Sequence, residues 1–341
     1  MKNKWLKLII LLLLAAVALS LAVGLGSVSI PLPEQFSILL GKFFGTSGNY
    51  TDTSATILTT IRMPRAFLAF LVGGGLAVAG VVTQSILQNP LASSYTLGVS
   101  SGAALGAAIM TVMEISIPIL GVLLLPTGGF LGGLLAVLFV MALSRKIDHG
   151  VSSHTVVLIG MIVSMFTNAI ITLLSLLFIK HEHQIISWTM GSFNGKRWYH
   201  VAILLGADLI AIILTMVRHR ELDALSFGDE HAASLGVNVT KVKMRQLILA
   251  SLLTGISVCF TGTIGFVDLI APHIGRKLIG ATHKWMIPVS FLIGGILMTL
   301  ADLIARTILS PMELPVGAVT ALIGAPFFMY IYFSRRNKNV G

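Results

Sequence analysis

Charge is what this sequence has least of. Asp, Glu, Lys and Arg make up 11% of its 341 residues, against roughly 25% in an ordinary soluble domain. That is too few charged groups to coat a soluble surface of this size, which excludes a typical cytosolic enzyme. Cysteine is almost missing. Cys259 stands alone, so neither an intrachain disulfide framework nor a cysteine-held metal cluster can form. No G-x-x-x-x-G-K-[ST] phosphate loop occurs. Gly191-Ser192-Phe193-Asn194-Gly195-Lys196 comes near, but its glycine spacing is wrong and it lacks the closing Ser or Thr. The chain does not bind ATP in that way. Apolar residues fill the gap, at 55% of the chain with a mean hydropathy of +0.93. That level excludes disorder and a collagen-like chain.

Long stretches carry no Asp, Glu, Lys or Arg at all, among them 66–113, 115–144 and 149–179. Such runs can cross a hydrocarbon core of about 30 Å as helices, which satisfy their own backbone hydrogen bonds in lipid. They lack the period-2 alternation of a membrane barrel. The pattern predicts an all-α polytopic membrane protein, one transmembrane domain over 1–341. Ten spans are expected, at about 5–29, 62–87, 94–112, 117–143, 152–178, 196–217, 242–264, 268–281, 285–308 and 315–334. The eighth carries Asp268, Pro272, His273, Arg276 and Lys277, and is expected to be short or broken. Lys2, Lys4 and Lys7 precede an apolar run longer than a signal-peptide core, so an uncleaved first span is expected.

Basic residues favour the cytoplasmic side. With both termini cytoplasmic, the inner segments hold 16 of the 23 Lys and Arg. The formal charge of +10 is then mostly a topology signal, not a nucleic-acid footprint. Arg62, Arg65 and Arg306 fall outside, against the bias.

Two regions resemble one another. Gly80, Pro90 and Gly98 fall on Gly262, Pro272 and Gly280 at an offset of 182, and Leu158-Ile159-Gly160 recurs as Leu322-Ile323-Gly324 at 164. Five spans separate the copies, so an inverted repeat is expected, a recurrent transporter plan. Gly98-Val99-Ser100-Ser101-Gly102 fits the G-x-S-x-G pattern, but that motif needs a strand-to-helix elbow, and this one sits in a helical run.

A transporter without a phosphate loop draws on an ion gradient or on a separate ATPase. Gradient-driven carriers bury ionisable residues along the pathway. Candidates here are Asp208, Asp268 and Asp302, and Arg306 one helical turn beyond Asp302 suggests an ion pair instead. The longest inner loop, about 218–243, says more. Within it, Asp229-Glu230-His231-Ala232-Ala233-Ser234-Leu235-Gly236 reads as a short helix closed by a glycine.

Four ordered blocks now carry a family resemblance. The first is Arg62-Met63-Pro64-Arg65, with Gly73-Gly74-Gly75, Gln84, Asn89-Pro90-Leu91-Ala92 and Leu97-Gly98-Val99-Ser100-Ser101-Gly102 after it. Next comes Leu225 to Gly236. Gly262-Thr263-Ile264-Gly265-Phe266-Val267 with Ala271-Pro272-His273-Ile274-Gly275-Arg276 is the third. The fourth is Ala301-Asp302-Leu303-Ile304-Ala305-Arg306, followed by Glu313-Leu314-Pro315-Val316-Gly317. The chain resembles the FecCD-type permeases of ABC importers for ferric siderophores, haem and vitamin B12, over nearly its whole length and least in 30–60 and 110–150.

The resemblance implies a type II importer permease fold in the cell membrane, without cofactor, metal site or nucleic-acid partner. It implies a second permease chain, two ATP-binding subunits that hydrolyse ATP separately, and an extracytoplasmic substrate-binding protein. Arg62, Arg65 and Arg306 would meet acidic residues of the binding protein. Asp229, Glu230, Ala232, Ala233, Leu235 and Gly236 would engage the ATPase. Gln84, Asn89, Pro90, Asp268, Pro272 and His273 are structural or conduit candidates. The family commonly has glycine where Asp268 stands, and the residues leave open whether Asp268 lines the conduit or meets His273 or Lys277. His273 is expected to cap or pack, and His181, His183 and His154 are a weak case for iron. Ferric-siderophore import is the leading expectation, with haem or cobalamin as the alternative cargo and a gradient-driven carrier as a remoter one.

Overall fold

The computed structural model describes residues 2–26, 30–45, 50–114, 121–148 and 152–338. The expected tail of the first span, 27–29, and the expected start of the fourth, 117–120, lie outside the described residues. All regular structure among the described residues is helical. The chain opens with α1 (Lys2–Gly24), α2 (Leu32–Phe44) and α3 (Asp52–Thr56), then α4 (Met63–Ile86) and α5 (Val99–Val112). It continues through α6 (Gly121–Ile147), α7 (Ser153–Leu177), α8 (Ile179–Thr189) and α9 (Trp198–Val217). Then follow α10 (His219–Leu225), α11 (Asp229–Ser234), α12 (Val239–Thr261), α13 (Val267–Ile279), α14 (His283–Thr307) and α15 (Val316–Lys338).

Each expected span has a helix at its place. Seven of the described helices are long and apolar enough to cross a membrane, and α5 and the first part of α15 are shorter apolar helices. The expected eighth span is α13, only 13 residues long, or roughly 20 Å at 1.5 Å per residue. Besides the short α3 and α10, two helices escaped the hydropathy pattern. These are α2, which is amphipathic, and α8, which continues α7 after a break at Phe178.

Pro64 stands in the first turn of α4 but not at the start of the continuous helical run. The helical run starts at Asp52, where Thr51 Oγ1 accepts the Ser54 N–H at 3.1 Å. It passes through a π-helical stretch, Ile57–Arg62, before α4. The Met63 N–H reaches back to the Leu58 carbonyl. A proline has no N–H to give the preceding turn, and a wider π turn just before it adjusts the backbone there.

The inverted repeat is present in the packing, but half of its residue matches are not equivalent. α5 packs on α6 as α13 packs on α14, α4 on α14 as α12 on α6, and α13 on α4 as α5 on α12. The match at 164 holds. Gly160 lies where a Cβ would meet the Thr96 carbonyl at 2.0 Å, just ahead of α5, and Gly324 where one would meet Phe266 at 2.4 Å, just ahead of α13. The matches at 182 do not hold. Gly80 is inside α4 while Gly262 ends α12, Pro90 lies in a turn while Pro272 is inside α13, and Gly98 opens α5 while Gly280 closes α13. Glycine and proline recur there for different local reasons. Ser100 sits in the first turn of α5 with no strand before it, so the G-x-S-x-G match is not a nucleophile elbow.

The centre of the molecule is the antiparallel crossing of α4 and α14. A Cβ on Gly73 would lie 2.2 Å from the Gly294 carbonyl, and one on Gly294 would lie 2.2 Å from the Gly73 carbonyl. Only small residues allow such an approach. Phe291 covers Gly74 and Phe70 covers Gly295 on either side of the crossing.

Candidate functional site

Two clusters of charged side chains occupy opposite ends of α4 and α14. One gathers around the 218–243 segment, beside the C-terminal end of α4 and the N-terminal end of α14. Gly228 precedes α11 with φ +116°, a backbone conformation essentially only glycine adopts, and the first residue of that helix, Asp229, is held from two sides. Lys243 of α12, 1% exposed, donates to Asp229 Oδ2 at 2.5 Å, and Gln88, at the end of α4, donates to Oδ1 at 3.1 Å. A buried ammonium needs such a partner. Ala232 is buried in the core with Leu222 and Leu225 of α10. Glu230, Ala233, Leu235 and Gly236 are exposed. Gly236 has φ +81° and closes α11 by donating to the Ala233 carbonyl at 2.9 Å.

The expected coupling residues thus divide by role. Asp229 and Ala232 anchor the short helix, and the others face outward. Sequence reasoning missed Phe227, 77% exposed beside Leu235 at 63%. Two bare apolar side chains flanking a polar helix were a usable signal.

Sequence reasoning also missed the tie between α10 and the membrane helices. Asp223 Oδ1 accepts from the His283 backbone N–H at 2.8 Å and lies 2.7 Å from its Nδ1. The Nε2 of the same ring meets Ser85 Oγ of α4 at 2.6 Å. Burial alone would push the Asp223 carboxyl up, but the hydrogen bonds from His283 outweigh it and hold the group below the ordinary carboxylate range. This Asp–His–Ser line looks like a hydrolase triad. His283 and Ser85 are buried under α10, with no room for a substrate at the serine, so the line is a clamp.

At the other end lie the three arginines. Arg65 grips Asp302 with Nε at 3.1 and 3.0 Å and Nη2 at 2.9 Å, and gives Nη1 to Glu313 at 2.8 Å. Arg306 is a second, looser partner of Asp302 at 3.9 Å. Its Nη2 donates to the Ala22 carbonyl. Arg62 donates to the carbonyls of Val23 at 3.2 Å and Gly24 at 3.0 Å. The last carbonyls of a helix lack intrahelical partners and favour cations, so Arg62 and Arg306 cap α1. Arg62 and Arg65 are only 5% and 8% exposed. The expected ion pair of Asp302 with Arg306 is present, but the stronger partner, Arg65, comes from 237 residues away.

Asp268 neither meets His273 nor Lys277. It is buried at the start of α13, where Oδ2 accepts from the Ser93 hydroxyl, from the Ser94 N–H at 3.0 Å and from the Ser94 hydroxyl at 3.2 Å. Gln84 donates to the Asp268 carbonyl at 3.1 Å and accepts from Arg276. Asn89 forms the turn after α4, accepting the Leu91 N–H at 2.9 Å, with Pro90 exposed beside it. Pro272 is buried inside α13, and His273 packs edge-on to Phe327 with ring centres 6.1 Å apart. Of these candidates Gln84 meets Asp268, and Asn89 gives its backbone N–H to the Gln84 carbonyl at 3.1 Å. His181 pairs with Glu114 at 3.1 Å. Asp208 is buried against Gly75 with neither carboxylate oxygen hydrogen-bonded.

Among the described residues, an all-helical bundle with seven membrane-length apolar helices, a glycine-lined central crossing and a short anchored helix at one end defines a multi-pass membrane protein. The chain belongs to the FecCD transport family, whose profile matches residues 11–334. It is an ABC importer permease of that type. It is 36% identical over 309 residues to the hemin transport system permease protein HmuU of Yersinia pestis, covering 89% of this chain and 91% of that one. It is 38% identical over 284 residues to the cobalamin import system permease protein BtuC of Halobacterium salinarum, covering 83% and 75%. A solved structure described as an inward-facing conformation of a metal-chelate type ABC transporter superposes with a TM-score of 0.84 at 30% identity, covering 96% of this chain and 98% of that one.

Proposed function

We propose that this chain moves ferric-siderophore complexes into the cytoplasm as one permease of a pair, driven by two separate ATP-binding subunits. The observation that carries the coupling part is the double anchor of Asp229 on Lys243 and Gln88. A push on α11 reaches α12 and the end of α4 directly. Through Asp223 and His283, a push on the neighbouring α10 reaches α14. Closure of the ATPases would therefore shift these helices as packed bodies, the kind of movement alternating access requires.

In this reading both termini and the 218–243 segment face the cytoplasm, and the whole chain is one transmembrane domain. The binding protein docks at the opposite end, near Arg62, Arg65 and Arg306. Those guanidinium groups already hold α1 and Asp302, so they shape the docking face more than they offer free charge to it. A buried ion pair and buried helix caps are poor hooks, and docking would draw on residual donors and on the helix ends they position.

The iron assignment rests on the metal-chelate description of the structural neighbour. The relatives named for hemin and cobalamin support the second reading, in which the fold and mechanism stay and the cargo changes. Uptake in a deletion strain decides between them. Labelled iron on hydroxamate, catecholate and citrate-type carriers would be offered beside haem and labelled cobalamin. Loss of one ferric-siderophore route, restored by the gene, is expected. Loss of haem or cobalamin uptake alone would overturn the iron assignment.

A further inference from the structure

One cavity is lined by residues of neither charged cluster. It occupies about 630 Å³ between α5, α6, α8, α9 and α12, at the end of α9 and α12 away from the 218–243 segment. That volume is within the usual range for a small-molecule site, roughly 300–1,000 Å³. Its polar groups come from Gln184 and Ser187 of α8, from Ser192, Asn194 and Lys196 of the following loop, and from His200 of α9.

The polarity is one-sided. No described residue lining the cavity is Asp or Glu. The nearby Glu114 is engaged by His181. Lys196 is half-buried and makes no hydrogen bond or ion pair with a described residue. Burial lowers the pKa of its ammonium group, as expected for a cation without a counter-charge.

His200 is a second donor, held in place. It is 5% exposed, with its ring stacked on Tyr199 at 4.0 Å and met edge-on by Phe260 at 5.3 Å. Its Nδ1 accepts the Arg197 N–H at 3.0 Å. A neutral imidazole that accepts at Nδ1 carries its proton on Nε2. That leaves an N–H without a described partner on a ring that lines the cavity. Ser192 Oγ accepts from the Asn194 N–H at 3.1 Å, so its own proton is also available.

We propose that this cavity binds an anion bearing carboxylate or phosphate groups, with Lys196 and His200 as its principal ligands. The ammonium supplies charge, and the fixed imidazole N–H and the serine hydroxyl supply direction. The anion comes either from solution or from a lipid head group reaching between the helices. This inference stands apart from the importer reading and needs no assumption about cargo.

Trp188 also lines the cavity and gives a local optical signal. The full chain would be placed in neutral phosphatidylcholine nanodiscs and titrated with sodium citrate and with inorganic phosphate at constant ionic strength. Trp188→Phe identifies the part of the emission that belongs to the site. A saturable change is expected, weakened about tenfold or more by Lys196→Gln, the loss of one charge-assisted hydrogen bond. His200→Phe should weaken it too, and Arg197→Gln, outside the lining, should not. If soluble anions are silent but phosphatidylglycerol in the disc shifts the Trp188 signal in wild type and not in Lys196→Gln, the anion is a lipid head group. Silence in both arms, or an undiminished response in Lys196→Gln of wild-type helicity, overturns the proposal.

Discussion

Asp223 and His283 lie 60 residues apart in sequence and meet twice, once through the backbone N–H at 2.8 Å and once through the ring at 2.7 Å. The contact joins the short helix α10 to the first turn of α14, and Ser85 extends it to α4. Asp223→Asn should therefore weaken both stability and coupling. Losing the ring contact costs roughly 1–3 kcal/mol. The pH dependence has a definite sign. A carboxyl held below its unfolded value, about 3.9, stabilises fully above that value and loses the contribution as pH falls through the folded one. The Tm gap between wild type and Asp223→Asn should stay constant from pH 7 to about 5 and shrink in stronger acid. A gap that widens in acid would contradict the assignment.

Arg65 and Asp302 form a buried pair, so removing one partner should hurt more than removing both. Arg65→Ala should cost roughly 3–5 kcal/mol by stranding the carboxylate beside a distant Arg306. The double change to Arg65→Leu with Asp302→Leu should cost less than the sum of the single changes. Urea or thermal melts of the detergent-solubilised chain measure both. Charge reversal at Arg65 should impair folding before it impairs any docking event, so Arg65→Glu is a poor probe of the binding protein. Strict additivity in the double mutant would show that the pair is not coupled.

Phe227 and Leu235 are the exposed apolar contacts beside α11. Changing both to Asp should leave helicity and Tm unaltered and abolish co-purification with the ATP-binding subunits. Gly236→Pro is a harsher change, because proline fixes φ near −65° where the chain needs +81° and also deletes the N–H given to Ala233. That variant should uncouple ATP hydrolysis from transport. Normal coupling in Gly236→Pro, or intact co-purification of the double Asp variant, would remove this surface from the mechanism.

The α4–α14 crossing has no room for a side chain. Gly73→Leu should drive the two helices apart, because its Cβ would press on the Gly294 carbonyl, which is backbone and cannot rotate away. The expected result is loss of folded protein in fluorescence-detected size-exclusion chromatography. Gly206→Ala meets open space and should be silent. A well-folded Gly73→Leu protein would refute the close approach.

Some features follow from local chemistry and were legible along the chain. Helix-length runs of apolar residues are read by lipid residue by residue, so the class, most of the spans and the short α11 with its glycine stop could be placed without any tertiary contact. The four ordered motif blocks added the family for the same reason, since each draws on residues close together along the chain. Even the weakness of the eighth span was visible, because Asp268, Pro272 and Arg276 interrupt its hydropathy.

Partner choice was not legible. Asp302 has a basic residue one turn away, yet its strong partner is Arg65 from another helix. Asp268 has His273 and Lys277 on its own helix, yet its Oδ2 is held by Ser93 and Ser94. The repeat matches at 182 looked as good as those at 164, and only packing separated them, because glycine and proline serve turns, caps and close crossings alike. A sequence determines the period of a helix and the solvent it prefers. Which distant group meets a buried charge depends on helices brought together by packing, and whether any does is decided there too, since Asp208 is buried without a hydrogen bond from a described residue and a polar group cut off from water can draw only on the partners the fold has placed beside it.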